Sequence, residues 1–233
     1  MGNPTSPRTT SGPIDDDLDT PLPWWMNPVN IVLMVVSAAL LVGAIGFVVG
    51  EQRGKGANNG SDIGFLQDMR IHHEQAVNMG LIYLDASSLP GAIDTPEAQE
   101  GSDSRGTLRL IAREIIVGQS HESGRMVQLL RQFGAAETNE TDQVMGWMNE
   151  PTPLAQMPGY ATDDQLAALR DARGAQADTM FAQLMIAHHE GGIHMAEHAA
   201  MHGANDEVAA LAGSMLKAQQ GEINEMKKLL AAI

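Results

Sequence analysis

The stretch FAQLMIAHHEGGIHMAEHAAMHG, residues 181–203, holds five of the chain's eight histidines and three of its 15 methionines. It reads as one helix, and its histidines and methionines recur at helical spacing. A second stretch, FLQDMRIHHEQAVNMG at residues 65–80, repeats the pattern. With Phe65 laid on Phe181, Met69 meets Met185, His72 meets His188, His73 meets His189, Glu74 meets Glu190 and Met79 meets Met195, all at an offset of 116 residues. Further on, GQSHESGRMVQLL (118–130) matches AQQGEINEMKKLL (218–230) at an offset of 100, pairing Gln119 with Gln219, Glu122 with Glu222 and Met126 with Met226. The difference in offset is taken up by extra residues in the first copy, SSLPGAIDTPEAQEGSDS (87–104), a run of breakers.

Each copy is therefore helix, connection, helix, and two such hairpins can bury their apolar faces against each other as a four-helix bundle. Ala, Leu, Met, Glu and Gln dominate after residue 60, and aromatics make up only 4% of the chain. That composition favours an all-α fold. Ser61 or Asp62 is expected to cap the first bundle helix and Asn205 the fourth, with Gly134 and Gly203 ending the second and third. The intervening region, 135–174, reads as an irregular linker carrying one short helix, opened by a Thr162/Gln165 capping box and stopped at Gly174.

The N-terminal part concerns location. Residues 1–27 are rich in Pro, Thr, Ser, Gly and Asp and cannot bury a core. Residues 28–50 carry no charge. At about 1.5 Å per residue, Val29 to Val49 spans roughly 30 Å of hydrocarbon. Trp24 and Trp25 stand where indoles favour the interface. The run exceeds the roughly 7–15 residues of a signal-peptide core and has no basic flank, which favours a retained single-span anchor followed by a linker over 51–61. Arg53 and Lys55 after the span, against four aspartates before it, would keep the bundle (62–233) cytoplasmic by the positive-inside rule.

The net charge of −15 leaves no basic stripe for phosphates, so nucleic acid is excluded as a partner class. Zero cysteines removes thiolate ligands and Cys nucleophiles together. No nucleophile–base pair, phosphate loop or cofactor fingerprint is present, and the chain reads as no enzyme. The zinc-protease spacing H-E-x-x-H fails at Val77 and Ile193, and the di-iron spacing Glu-x-x-His fails after Glu74 and Glu190.

What remains is a His/Met donor set. Imidazole is borderline and thioether soft, a mixture that selects copper, Cu(I) above all, ahead of zinc or calcium. Met69, His72, His73 and Met79 fall on one side of their helix, as do Met185, His188, His189 and Met195 on theirs. The expected site gathers Met185, His188 and Met195 with His189 or His202, closed by His121, Met126 or Met226 from neighbouring helices; His194 and His198 make an outer one. Single methionines are more often core filler. Gln119, Glu122, Gln219 and Glu222 suit either a buried hydrogen-bond network or support for metal ligands. Two adjacent imidazoles in each copy are harder to place in an apolar core without partners.

FLQDMRIHHEQAVNMG, AREIIVGQSHESGRMVQLL, residues 157–196 and AQQGEINEMKKLL together resemble the domain-of-unknown-function 305 family of bacterial exported or membrane-anchored proteins. The resemblance runs over residues 62–231 and implies a ferritin-like four-helix bundle, with a role in copper binding outside the cytoplasm. Its His/Met pattern falls on Met69, His72, His73, Met79, Met126, Met185, His188, His189, Met195 and Met226. Asp68 and Arg70 depart from it and argue against high-capacity storage. The implied location overrides the two juxtamembrane cations. Two readings follow: a membrane-anchored copper-binding module, or a non-catalytic accessory subunit of a membrane complex with structural histidines.

Overall fold

The computed structural model describes residues 23–54, 56–88 and 102–232, and the chain divides after Gly54 into two compact units. The expected N-terminal tail up to residue 22 and most of the breaker-rich loop, residues 89–101, lie outside the described residues.

In the N-terminal unit a single 3-10 turn, Trp24–Met26, leads into α1, Pro28–Gly54. Proline at the first helical position has no N–H to leave unbonded. Pro28–Phe47 is long and apolar enough to cross a membrane by length and composition, and its side chains are exposed within the unit. The helix continues past residue 50, where a linker was expected, because Glu51, Gln52 and Arg53 are good helix formers.

In the second unit α2 runs Gly60–Ala86 and α3 Ser102–Phe133. A short α4, Asp163–Asp171, precedes α5, Gly174–His202, and α6, Asp206–Leu230. The cap of α2 is Asn59, not Ser61 or Asp62: its side chain accepts from the Ser61 and Asp62 amides, and Asp62 returns a bond to the Asn59 amide. Gly134, at φ +69°, ends α3 with the paired bonds Gly134 N–H to Arg131 O and Ala135 N–H to Leu130 O. Asn205 caps α6, and Thr162 with Gln165 forms the expected box on α4. Gly174 does not stop α4, which ends at Asp171; it opens α5 instead.

The linker is folded, not merely irregular. Gln143–Val144 (β1) pairs antiparallel with Thr152–Pro153 (β2), Gln143 opposite Pro153 and Val144 opposite Thr152. Buried Asp68 of α2 holds it by accepting from the Met145 amide (2.7 Å), Trp147 Nε1 (2.9 Å) and Asn139 Nδ2 (3.0 Å). The Gln75 side chain closes a two-way pair with the Ala161 amide and carbonyl. Arg70 Nε donates to the Glu137 carbonyl. Asp68 and Arg70 are thus linker anchors on the first helix of the bundle.

The helices of each hairpin run antiparallel, and so do α2 and α5. Asp62 meets the turn amides of Ala204 and Asn205, His72 meets His188, and Tyr83 meets Asp178, so positions rise along one helix as they fall along the other. Phe65 and Phe181 occupy matching, fully buried positions at opposite ends. The apolar interior falls into two clusters. One holds Phe181, Tyr83, Met79, Met185 and Met226; the other holds Phe65, Met69, Met126, Met195 and Met215. Between them, at mid-bundle, lies a polar belt: His72 and His73 on α2, Gln119 and Glu122 on α3, His188 and His189 on α5, Gln219 and Glu222 on α6.

Candidate metal centre

The belt follows from the repeat. In each hairpin the second histidine of the pair faces the glutamate of the partner helix: His73 Nε2 to Glu122 Oε2 at 2.8 Å, and His189 Nε2 to Glu222 Oε2 at 2.5 Å. Both imidazoles are fully buried, while the carboxylates keep about a fifth to a quarter of their side-chain surface in solvent, 20% and 25%. In the neutral imidazole the carboxylate draws the proton to Nε2, which leaves Nδ1 as a lone pair. Neither Nδ1 has a hydrogen-bond partner. A carboxylate behind a histidine whose other nitrogen is bare is the arrangement that orients metal-ligating imidazoles.

The first histidine of each pair meets its own repeat equivalent. The His72 and His188 rings stack at 3.6 Å between centroids, 25° from parallel, and all four of their nitrogens lack partners. Burial first, then the neighbouring His73 and His189 rings, hold His72 well below the usual imidazole range. The Pro158 carbonyl opposes this weakly from a position short of ordinary hydrogen-bond geometry. Burial, then His72, do the same to His188. Both rings are accordingly neutral at physiological pH and available as ligands. Six buried ring nitrogens in one layer have no partner, in a class of atom that is nearly always satisfied.

The linker seals one side of this layer. Gly159, at φ +75°, and Gly191 let the two backbones touch: a Cβ on Gly159 would run into the Ala187 carbonyl, and one on Gly191 into the Pro158 carbonyl. Nothing but glycine lets the linker close over α5 there.

The structure separates the expected ligands. His72, His73, His188 and His189 come together in the belt. Met69, Met126 and Met195 lie in the apolar cluster on one side of it, and their repeat mates Met185, Met226 and Met79 in the cluster on the other, all six buried. Met185 and Met195, expected to share one ion with His188, are ten residues or about 15 Å apart along the axis of α5 and belong to opposite clusters. Met185, His188, His189 and Met195 all face the bundle interior, and the rise along the helix separates the two sulfurs. His121 is exposed on α3 and joins neither group. His194, His198 and His202 lie on the outer face of α5: His194 Nε2 meets Glu150 Oε2 at 3.0 Å, and the His198 and His202 rings stack at 4.1 Å, far from the belt along the helix for His202. Among the described residues no three His, Asp or Glu side chains converge as a ready-made metal site. Imidazole lone pairs lie in the ring plane, so with His72 and His188 stacked 25° from parallel an ion held by both requires one ring to turn.

Spacing did not reveal Asp62 and Asp178, which share the 116-residue offset and are both buried. The first takes the turn amides of Ala204 and Asn205; the second accepts from the Tyr83 hydroxyl at 2.7 Å and Arg105 Nε at 2.8 Å. Burial and the Asp178 charge push the Tyr83 phenol well up, so it stays a neutral donor. Equivalent positions thus tie down opposite ends of the bundle.

Comparison with known proteins agrees with this architecture. The family described as a domain of unknown function, DUF305, matches residues 62–230. The crystal structure of a DUF305 protein from Streptomyces coelicolor, described as secreted, is similar at 33% identity and TM-score 0.61, over 73% of this chain and 92% of that one. A DUF305 fragment from Deinococcus radiodurans is similar at 25% identity and TM-score 0.59, over 76% and 99%. The Cu(II)-bound form of CopM matches at 24% identity and TM-score 0.47, over 73% and 95%. No protein of curated function matches the chain.

Proposed function

We propose that this chain, which belongs to the DUF305 family, is a membrane-tethered copper-binding protein whose bundle works outside the cytoplasm without covalent catalysis. The observation that carries the reading is the belt of six partnerless ring nitrogens on four buried histidines. Leaving buried polar atoms unbonded costs about 1–3 kcal/mol each, and a Lewis acid relieves that cost where no donor can reach. His73 and His189, each backed by a carboxylate, supply Nδ1; His72 or His188 supplies a further nitrogen on turning. The methionines flanking the belt supply soft thioether sulfur, which with imidazole and no thiolate favours Cu(I). Copper would be the cargo; the chain's own residues would bind it, hold the imidazole tautomers and exclude water.

The extracytoplasmic placement rests on the secreted relative from Streptomyces coelicolor and on the apolar helix α1, which serves here as a retained anchor. The two basic residues after the span oppose it. The test of the metal is X-ray absorption on the full chain in detergent, loaded with Cu(I) under reducing conditions. Mixed nitrogen and sulfur scatterers are expected. An oxygen-only shell, or copper lost wholly to a weak chelator, would overturn the reading.

One observation favours the second reading, an accessory subunit with structural histidines. The His73–Glu122 and His189–Glu222 bonds each tie the two helices of a hairpin, which is useful with no metal at all. That role leaves both nitrogens of His72 and His188 unexplained.

A further inference from the structure

The outer face of α5 carries histidines that the duplication does not explain. The offset of 116 residues that pairs the belt histidines sets Asn78, Ile82 and Ala86 against His194, His198 and His202, so the hairpin does not need imidazoles at these places. Each stands one turn from the next, about 6 Å along the axis, which is too far for one ion to take the first and the last. Glu150 decides between the two adjacent pairs, because its Oε2 already holds His194 Nε2 at 3.0 Å. That leaves His198 and His202. His202 Nδ1 lies 3.0 Å from the His198 carbonyl, which can only accept; Nδ1 therefore carries the proton, and Nε2 is left as a lone pair on an exposed ring. A backbone carbonyl behind the other nitrogen is a usual means of orienting a metal-ligating imidazole. Among the described residues the His198 ring makes no hydrogen bond. Burial, then the His202 ring, hold it below the usual imidazole range against the pull of Glu150, so it too is neutral and offers a lone pair. Trp147, edge-on at 5.4 Å, and the His202 ring, stacked at 4.1 Å, flank it. Two nitrogens on one tetrahedral zinc are about 3.3 Å apart, close to the separation of the stacked rings. His198, half-buried and tied by no hydrogen bond, is the ring that turns to close the chelate.

We infer that His198 and His202 form a surface site for a borderline divalent cation of the Zn²⁺ or Cu²⁺ class, held by His202 Nε2 and a ring nitrogen of His198, with water completing the shell. Two histidines four residues apart on one helical face are a zinc-holding spacing, and imidazole without thiolate suits Zn²⁺ and Cu²⁺. Glu150, beside His194 one turn away, adds a negative charge that favours a cation there. The site shares no residue with the belt and stands whether or not the belt holds copper.

The test is calorimetric titration of the full chain in detergent with Zn²⁺, in excess Ca²⁺ to occupy the acidic surface. Wild type is expected to take up one Zn²⁺ per chain saturably, with the imidazole NMR signals of His198 and His202 shifting together. Loss of one of two linked donors, in H202Q, should weaken uptake by about ten-fold or more. H198Q/H202Q should abolish it with helicity intact by circular dichroism, and H72L/H188L, which strips nitrogens from the belt, should keep it. No saturable uptake by wild type would overturn the inference. Uptake equal in wild type and H198Q/H202Q, or lost in folded H72L/H188L, would assign the ion to the belt or to the acidic surface and overturn it as well.

Discussion

Replacing His72 with leucine separates ligand from scaffold, because the two roles predict opposite signs. His72 is fully buried and stacked on His188, and neither of its nitrogens has a partner. A neutral imidazole carries one donor and one acceptor, and each buried unsatisfied group costs about 1–3 kcal/mol. Leucine fills nearly the same volume with no polar atom. The loss of stacking subtracts about 0.5–1.5 kcal/mol. With both groups removed the net expectation is a gain of about 0.5–5.5 kcal/mol, and at about 2–4 °C per kcal/mol for a chain of this length the melting temperature rises by about 1–22 °C. Calorimetry of the full chain in detergent with a chelator gives the first number, and competition titration with Cu(I) the second, where affinity should fall at least ten-fold. A His72→Leu variant that melts several degrees lower and binds copper as well as wild type would refute the reasoning, since His72 would then be a packing residue whose nitrogens find water.

Acid should destabilise the metal-free protein: burial holds His72 and His188 below the usual value of 6.5, so below about that pH the unfolded chain binds protons that the folded one does not. Stability is fully present above pH 6.5 and is lost as pH falls through the window beneath it, by up to about 1.4 kcal/mol per pH unit per histidine, and His72→Leu should halve that slope in urea titrations at pH 7.5 to 5.5. Gly191→Ala drives a methyl group into the Pro158 carbonyl, which should cost about 1–3 kcal/mol and speed amide exchange at Gly159 and Tyr160; unchanged exchange would show that the linker does not seal α5. A reporter fused after Ile233 should be active outside the cytoplasm, and cytoplasmic activity would show the positive-inside rule to be the better guide.

Much of the fold was legible because the chain says it twice. The offsets placed Phe65 on Phe181 and His73 on His189, and the bundle interior honours both pairs. Local chemistry revealed the Asn205 cap, the Gly134 stop and the Thr162/Gln165 box, which depend on neighbours within four residues. It failed at Asn59, hidden in a Gly/Asn-rich run, and at Gly174, where a positive φ serves to start a helix. The linker was illegible since its order comes from Asp68, Gln75 and Gly191, whose partners lie between about 33 and 86 residues away in sequence and follow no period. The site was half legible. Side-by-side histidines with glutamates on the following helix, 49 and 33 residues further along, could be seen, but a helical wheel collapses the axis. It therefore merged Met185 with Met195 and gave no sign that the methionines divide about the belt.

The claim that these histidines exist for copper is tested most directly by His188→Ala with His189→Ala, measuring Cu(I) affinity and thermal stability on one sample. Removing His188 deletes two partnerless nitrogens, and removing His189 frees Glu222, which already reaches solvent. The account predicts loss of most Cu(I) binding, with helicity nearly intact and only the stability cost of the emptied volume. Unchanged copper affinity together with a large loss of stability would contradict it and leave the belt to packing and hydrogen bonding.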